Sequence, residues 1–119
     1  MKRTLVIGAS PKSERYSYKA TQMLQEYGHA VIPFAKRKGE CAGIPIETVW
    51  NAEWEIDTVT LYINPTFQEE YREAICNLHP NRVIFNPGTE NEAFRKQLIS
   101  LGIDAIEACT LVLLRTGQY

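Results

Sequence analysis

Apolar residues fall into short runs separated by longer segments with helical spacing. Thr4–Ile7 is a β-branched and apolar run that stops at Gly8, and it predicts a buried strand. Tyr16 to Tyr27 places Ala20, Met23, Leu24 and Tyr27 at three- and four-residue steps before Gly28, which predicts an amphipathic helix with a glycine stop. His29–Phe34 reads as a second strand, Thr58–Ile63 as a third, Arg82–Phe85 as a fourth and Ile103–Glu107 as a fifth. Between them, Phe67 to Leu78 sets Phe67, Tyr71, Ala74, Ile75 and Leu78 on one helical face, and Glu92 to Leu101 forms another helix stopped by Gly102. Residues 35–47 are polar and carry Gly39, Gly43 and Pro45, so they read as a loop. Trp50 and Trp54, in an ambiguous stretch, are placed to cover a sheet edge. The tail from Cys109 to Arg115 is apolar enough to dock as a strand or a short helix.

Strands alternating with helices at this pace imply right-handed βαβ units. The expected fold is one doubly wound α/β domain over residues 1–119, a parallel sheet of about five strands with helices on both faces. Such sheets bind ligands beyond the carboxyl ends of the strands, where the strand order reverses. The chain's 119 residues suffice for one core, and 23% charged residues are ordinary for a globular protein.

A net charge of −1 gives no general attraction to nucleic acid or to an anionic membrane, so neither is expected as a partner. The distribution is uneven, however. Residues 1–38 hold eight Lys/Arg against two Asp/Glu, and the remainder holds five against twelve. A basic first third in an acidic chain suggests a local anion site. Three widely spaced cysteines form no disulfide framework. With an opening apolar run that breaks at Gly8, too short for a leader or a membrane segment, they suggest a reducing cytoplasm.

Three features stand out at the strand ends. The first is Gly8-Ala9-Ser10-Pro11, followed by a helix start holding Tyr16, Ser17 and Lys19. Small residues let the backbone approach a phosphate, and a helix N-terminus adds partial positive charge. Ser10, Ser13 and Ser17 offer hydroxyls, and Lys12, Arg15 and Lys19 offer charge. The plainer reading is a capping turn, which any βα unit needs. Neither G-x-G-x-x-G nor the P-loop pattern is present. The second end reads Pro33-Phe34-Ala35-Lys36-Arg37-Lys38, where NAD-binding domains place an acid for the ribose hydroxyls. Basic residues there favour a phosphorylated adenosine such as CoA or NADP, with Lys36 the best placed. The third feature is a pair of turns, Asn64-Pro65 and Asn86-Pro87-Gly88, expected on the same sheet edge as the first loop; each also reads as an ordinary strand terminator.

Gly8-Ala9-Ser10, Arg15-Tyr16-Ser17-Tyr18-Lys19-Ala20, Asn64-Pro65, Asn86-Pro87-Gly88-Thr89-Glu90 and Glu107-Ala108-Cys109-Thr110-Leu111-Val112 together resemble the small stand-alone CoA-binding domain proteins. These are related in fold to the CoA-binding domain of the succinyl-CoA synthetase alpha subunit. The resemblance covers essentially the whole chain and implies a Rossmann-like fold with coenzyme A or acyl-CoA as the ligand. It puts Gly8, Ala9, Ser10, Pro11, Tyr16, Ser17 and Lys19 around the pyrophosphate and Lys36 near the adenosine phosphate. Asn64, Pro65, Asn86, Pro87 and Gly88 would line the rest. Relatives commonly read Val-Asn-Pro followed by Lys or Arg after strand two, where this chain has Pro33-Phe34-Ala35-Lys36.

No catalytic or metal-ligating set emerges. Cys76 and His79 share a C-x-x-H spacing with no second pair to complete a site. Glu90, Glu107 and Cys109 lie at strand ends without a defined acid–base or nucleophile–base partner. The leading expectation is a non-catalytic CoA or acyl-CoA sensor, carrier or accessory module. The alternatives are an NADP-linked or thioester-handling enzyme using Cys109, or a subunit completing an acyl-CoA ligase in trans. Leu111-Val112-Leu113-Leu114 either caps the core, the favoured reading, or supports a homo-oligomer.

Overall fold

The computed structural model describes all residues from Met1 to Tyr119. Five four-residue strands form one parallel sheet: β1 (Thr4–Ile7), β2 (Val31–Phe34), β5 (Thr58–Leu61), β6 (Arg82–Phe85) and β7 (Asp104–Glu107). Their order is β2-β1-β5-β6-β7. The chain therefore moves outward from β1 to β2, then returns to pair β5 on the other side of β1. That reversal places a switch point between β1 and β5, where the connections leave in opposite directions. The fold is Rossmann-like.

Both faces of the sheet are covered. Leu5 and Ile7 of β1, Val59 and Leu61 of β5 and Val83 and Phe85 of β6 belong to the larger core cluster, with Ile75, Phe94 and Leu98. These last come from α3 (Arg72–Leu78) and α4 (Glu92–Ser100). Val6 joins a smaller cluster with Leu24 and Leu114, from α1 (Tyr16–Glu26) and α5 (Thr110–Arg115). The alternation of Leu5 and Ile7 against Val6 is the period-two pattern of a strand buried on both sides. On the α5 face the buried strand threonines need partners, and Thr60 Oγ1 lies 2.8 Å from Thr110 Oγ1.

Two segments differ from the expected reading. Residues 35–47 are not all loop. They hold a small antiparallel hairpin, β3 (Glu40–Cys41) and β4 (Ile44–Pro45), which buries Cys41 and Ile46 against the smaller cluster. Just beyond it Glu47 N–H donates to Pro33 O and Ala35 N–H to Glu47 O, covering the β2 edge. An edge strand is where Pro33, which lacks an N–H, is tolerated. The helix expected over Phe67–Leu78 is two pieces, α2 (Pro65–Gln68) and α3. Gln68 is fully buried at the break; its Nε2 donates to Ile63 O (2.9 Å) and Thr89 O (2.7 Å), and its Oε1 accepts from Asn91 Nδ2 (2.9 Å). These tertiary bonds pull the chain out of a continuous helical register, and Tyr71 swings in to stack on Trp50 at 5.8 Å between centroids. Phe67 consequently stays exposed. The tail adopts the helical option, with Leu111 and Leu114 in the core and Val112 outside.

Candidate ligand-binding site

The loop after β1 turns at Gly8, whose φ is +95°. A Cβ there would sit 2.9 Å from Ile63 Cγ2 and 3.1 Å from the Tyr62 carbonyl, so only glycine lets the β1 and β5 exits pass this close. The amides of Gly8 and Ala9 both donate to Phe34 O, at 3.0 and 3.1 Å, and are already used. The free donors lie further on. The N–H groups of Tyr16, Ser17 and Tyr18 in the first turn of α1, and that of Ser10, have no protein partner. The Ser17 hydroxyl is also unengaged, although the residue is buried.

Of these residues, Ser10, Tyr16 and Ser17 line a crevice of about 730 Å³ at the C-terminal edge of the sheet, over the switch point. Five cations line it: Lys12 and Arg15 from the first loop, and Lys36, Arg37 and Lys38 from the loop after β2. No carboxylate does. A polar concavity with one sign of charge focuses potential on an anion.

A second, apolar pocket of about 210 Å³ adjoins the first. Its walls are Ile7, Phe34, Ile63, Phe67 and Tyr71, and it shares Gly8, Ala35 and Lys36 with the crevice. Phe34 makes edge-on contacts with Trp50, Trp54 and Tyr71, which hold its ring in place in the pocket.

A model of the CoA-binding domain family matches residues 2–115, nearly the full length. The chain belongs to the CoA-binding domain family. Similar solved structures agree in fold. The crystal structure of an uncharacterized protein is 45% identical, with a TM-score of 0.97 over 100% of this chain and 98% of that one. A hypothetical protein from Pyrococcus horikoshii OT3 is 26% identical, with a TM-score of 0.86 over 97% and 82%. A Thermus thermophilus protein is 20% identical, with a TM-score of 0.85 over 99% and 90%, a likeness of fold alone. No curated protein matches the sequence.

Against this CoA-binding domain, the residues singled out in the sequence divide into two groups. Gly8, Ala9, Ser10, Pro11, Tyr16, Ser17, Lys36, Asn64, Pro87 and Gly88 all line the crevice. Lys19, Pro65 and Asn86 do not. Lys19 lies 5.4 Å from the centre of the Tyr16 ring, on the outside of α1. Pro65 opens α2, where its missing N–H costs nothing, while Asn64 Oδ1 caps that helix by accepting from Phe67 N–H at 3.1 Å. Asn86 is buried, its Nδ2 donating to Thr60 Oγ1 and Leu61 O and its Oδ1 accepting from Thr110 N–H.

Tyr62 lines the crevice and was not singled out from the sequence; Thr89, named there only within the Asn86–Glu90 motif and given no site role, lines it too. Tyr62 directly follows β5, a position that is itself a signal. Burial, with Cys109 nearby, pushes its phenol well above the ordinary range, so it stays a neutral hydroxyl. Cys109 is half-buried at the N-cap position of α5 and is not on the crevice wall. Cys76 packs in the core with its thiol pushed up by desolvation, and His79 takes a left-handed turn with Nε2 3.2 Å from Leu101 O. No helix is long and apolar enough to cross a membrane.

Proposed function

We propose that the chain binds coenzyme A or an acyl-CoA at this edge and acts as a non-catalytic sensor, carrier or accessory module. The observation that carries the reading is the junction of two chemically opposite compartments at Gly8, Ala35 and Lys36. A ligand that satisfies both has a flat, weakly polar end and a strongly anionic continuation, with additional charge favoured at the joint. A 3′-phosphorylated adenosine diphosphate meets each requirement. The base fits the pocket walled by Phe34, Ile63, Phe67 and Tyr71. The diphosphate meets the free first-turn amides of α1, the Ser17 hydroxyl and the charge of Lys12 and Arg15. The ribose falls at the joint, where Lys36 supplies a cation for its phosphate. Pantetheine would then run toward Asn64, Pro87 and Gly88.

The donor set thus fits the ligand the family implies, and CoA would supply the thiol that carries an acyl group. The side chains of this chain bind and orient; none is assigned a proton transfer or a covalent step.

Titration calorimetry against CoA and dephospho-CoA tests the reading. Both should bind, CoA more tightly. Lys36→Glu should weaken CoA about tenfold, more than it weakens dephospho-CoA, because the reversed charge opposes only the ribose phosphate directly. Absence of binding to either ligand at millimolar concentration would remove the proposal. An equal loss for both would remove Lys36 as the phosphate contact.

A further inference from the structure

Glu70 lies in the break between α2 and α3, a position that a continuous helix over Phe67–Leu78 would have placed elsewhere. Its Oε1 stands 2.8 Å from Lys36 Nζ. Lys36 is the cation common to the polar crevice and the apolar pocket, and of the five cations around the crevice it alone is held by a carboxylate. The pair links two walls of the apolar pocket, the loop after β2 and the α2–α3 joint, which carries Tyr71 and follows Phe67 of α2. Neither side chain is shielded, with 66% and 54% of their surfaces exposed, so the contact is open to exchange with an incoming anion.

We propose that Glu70 is a specificity-determining residue: it holds Lys36 as an internal anion and thereby limits how strongly the site prefers a phosphorylated over an unphosphorylated adenosine ribose. The inference rests on the CoA reading above. A ribose phosphate reaching Lys36 must displace the carboxylate, and then sits as a second anion beside it. A ligand with a free ribose hydroxyl makes no such demand, because the Lys36–Glu70 pair can remain intact beneath it. The carboxylate therefore penalises one ligand and is neutral toward the other. Because the pair is exposed, the penalty is modest, about two- to fivefold in relative affinity, and it shrinks as salt screens it.

The experiment compares the full-length chain with Glu70→Gln, Lys36→Met and the double variant, titrated with CoA and with dephospho-CoA at low and at physiological salt. Glu70→Gln should raise the ratio of CoA to dephospho-CoA affinity about two- to fivefold at low salt and less at high salt. In the Lys36→Met background the same change should alter the ratio much less, because no pair remains to release. Glu70→Ala provides a second truncation should the amide find a new partner. An unchanged or lowered ratio in both Glu70 variants, or an effect of equal size without Lys36, overturns the assignment while leaving the CoA reading standing. If the unmodified chain binds neither ligand, both fall.

Discussion

At the N-terminal ends of the strands, Asp57 accepts from Thr58 Oγ1 at 2.7 Å and from Asn81 Nδ2 at 2.9 Å. There Lys2 N–H donates to His29 Nδ1, and Arg82 Nε donates to Thr58 Oγ1 while its guanidinium lies 4.4 Å from the centre of the Tyr119 ring. At the C-terminal ends, Lys12, Arg15, Arg37 and Lys38 have no carboxylate partner, and four backbone amides have no protein acceptor. The same sheet thus pairs most of its polar groups at one edge, with Arg82 Nη2 the buried exception on a guanidinium set over the Tyr119 ring, and leaves a surplus at the other. Burial explains the contrast. Polar groups that the fold covers must be paired internally, whereas groups around an open crevice are paired by water until a ligand replaces it. Only the surplus is available for recognition, so variants at the two edges should separate stability from binding.

Asn86 is the sharpest test, because it lies at the binding edge yet is bonded like a residue of the other one. Asn86→Ala strands the buried Thr110 N–H and removes donors from Thr60 Oγ1 and Leu61 O. It should cost about 2–4 kcal/mol of stability, read from the urea midpoint with unchanged slope. A loss below about 1 kcal/mol would mean that water enters and substitutes, and that this part of the edge is as open as the crevice. Gly8→Val comes next. Its strained φ and the 2.9 Å approach to Ile63 should cost about 1–3 kcal/mol and abolish CoA binding together, because one movement of the loop damages both.

The pair Asn64 and Asn86 also shows where the sequence stops being informative. Both precede proline after a strand, and their local sequences give no reason to treat them differently. One caps α2 at the surface and the other is sealed beneath the start of α5, a difference that exists only after α5 docks. Strands were legible because four-residue apolar or β-branched runs bounded by turn residues have few other uses. The shared edge was legible because a parallel sheet puts all strand exits on one side. The β3–β4 hairpin was not, since two-residue strands carry no period to detect. The α2–α3 break was not, because Gln68 is drawn inward by carbonyls of Ile63 and Thr89, neither of them in its own helix. That break creates both the apolar pocket wall at Tyr71 and the contact of Glu70 with Lys36, so the least legible local feature shapes much of the site.

Arg15 tests the surplus edge on its own. Its side chain makes no capping bond, forms no salt bridge and lines the crevice. Arg15→Ala should therefore leave stability within about 0.5 kcal/mol of the parent. It should weaken CoA about fivefold at low salt and flatten the dependence of affinity on salt. An equal weakening at high salt would indicate that Arg15 packs the loop instead of supplying charge.

The smallest effect belongs to the paired edge and is read by pH. His29 has its pKa lowered, first by desolvation and then by the positive charges of the amino terminus, Lys2 and Arg82, against a weaker opposing pull from Asp57. A histidine whose folded pKa lies below its unfolded value of about 6.5 binds its proton more readily when unfolded. Its neutral form therefore supports the fold above that pH, and the support is lost as pH falls from there toward the folded pKa. Asp57 acts in a separate window. Burial pushes its pKa up, but the hydrogen bonds from Thr58 and Asn81 and the charges of Lys2 and Arg82 outweigh that and leave it lowered. Its contribution is present above the ordinary carboxylate pKa and disappears only in stronger acid. Between pH 7 and pH 5 the fall in Tm should then carry the signature of His29. His29→Asn, whose side-chain carbonyl can still accept from Lys2 N–H, should make that fall shallower without altering the CoA affinity at pH 7.5. If the slope is unchanged, the imidazole is as well hydrated in the folded chain as in the unfolded one. In that case the N-terminal edge is wetter than its hydrogen bonds imply, and the contrast between the two ends of the sheet narrows.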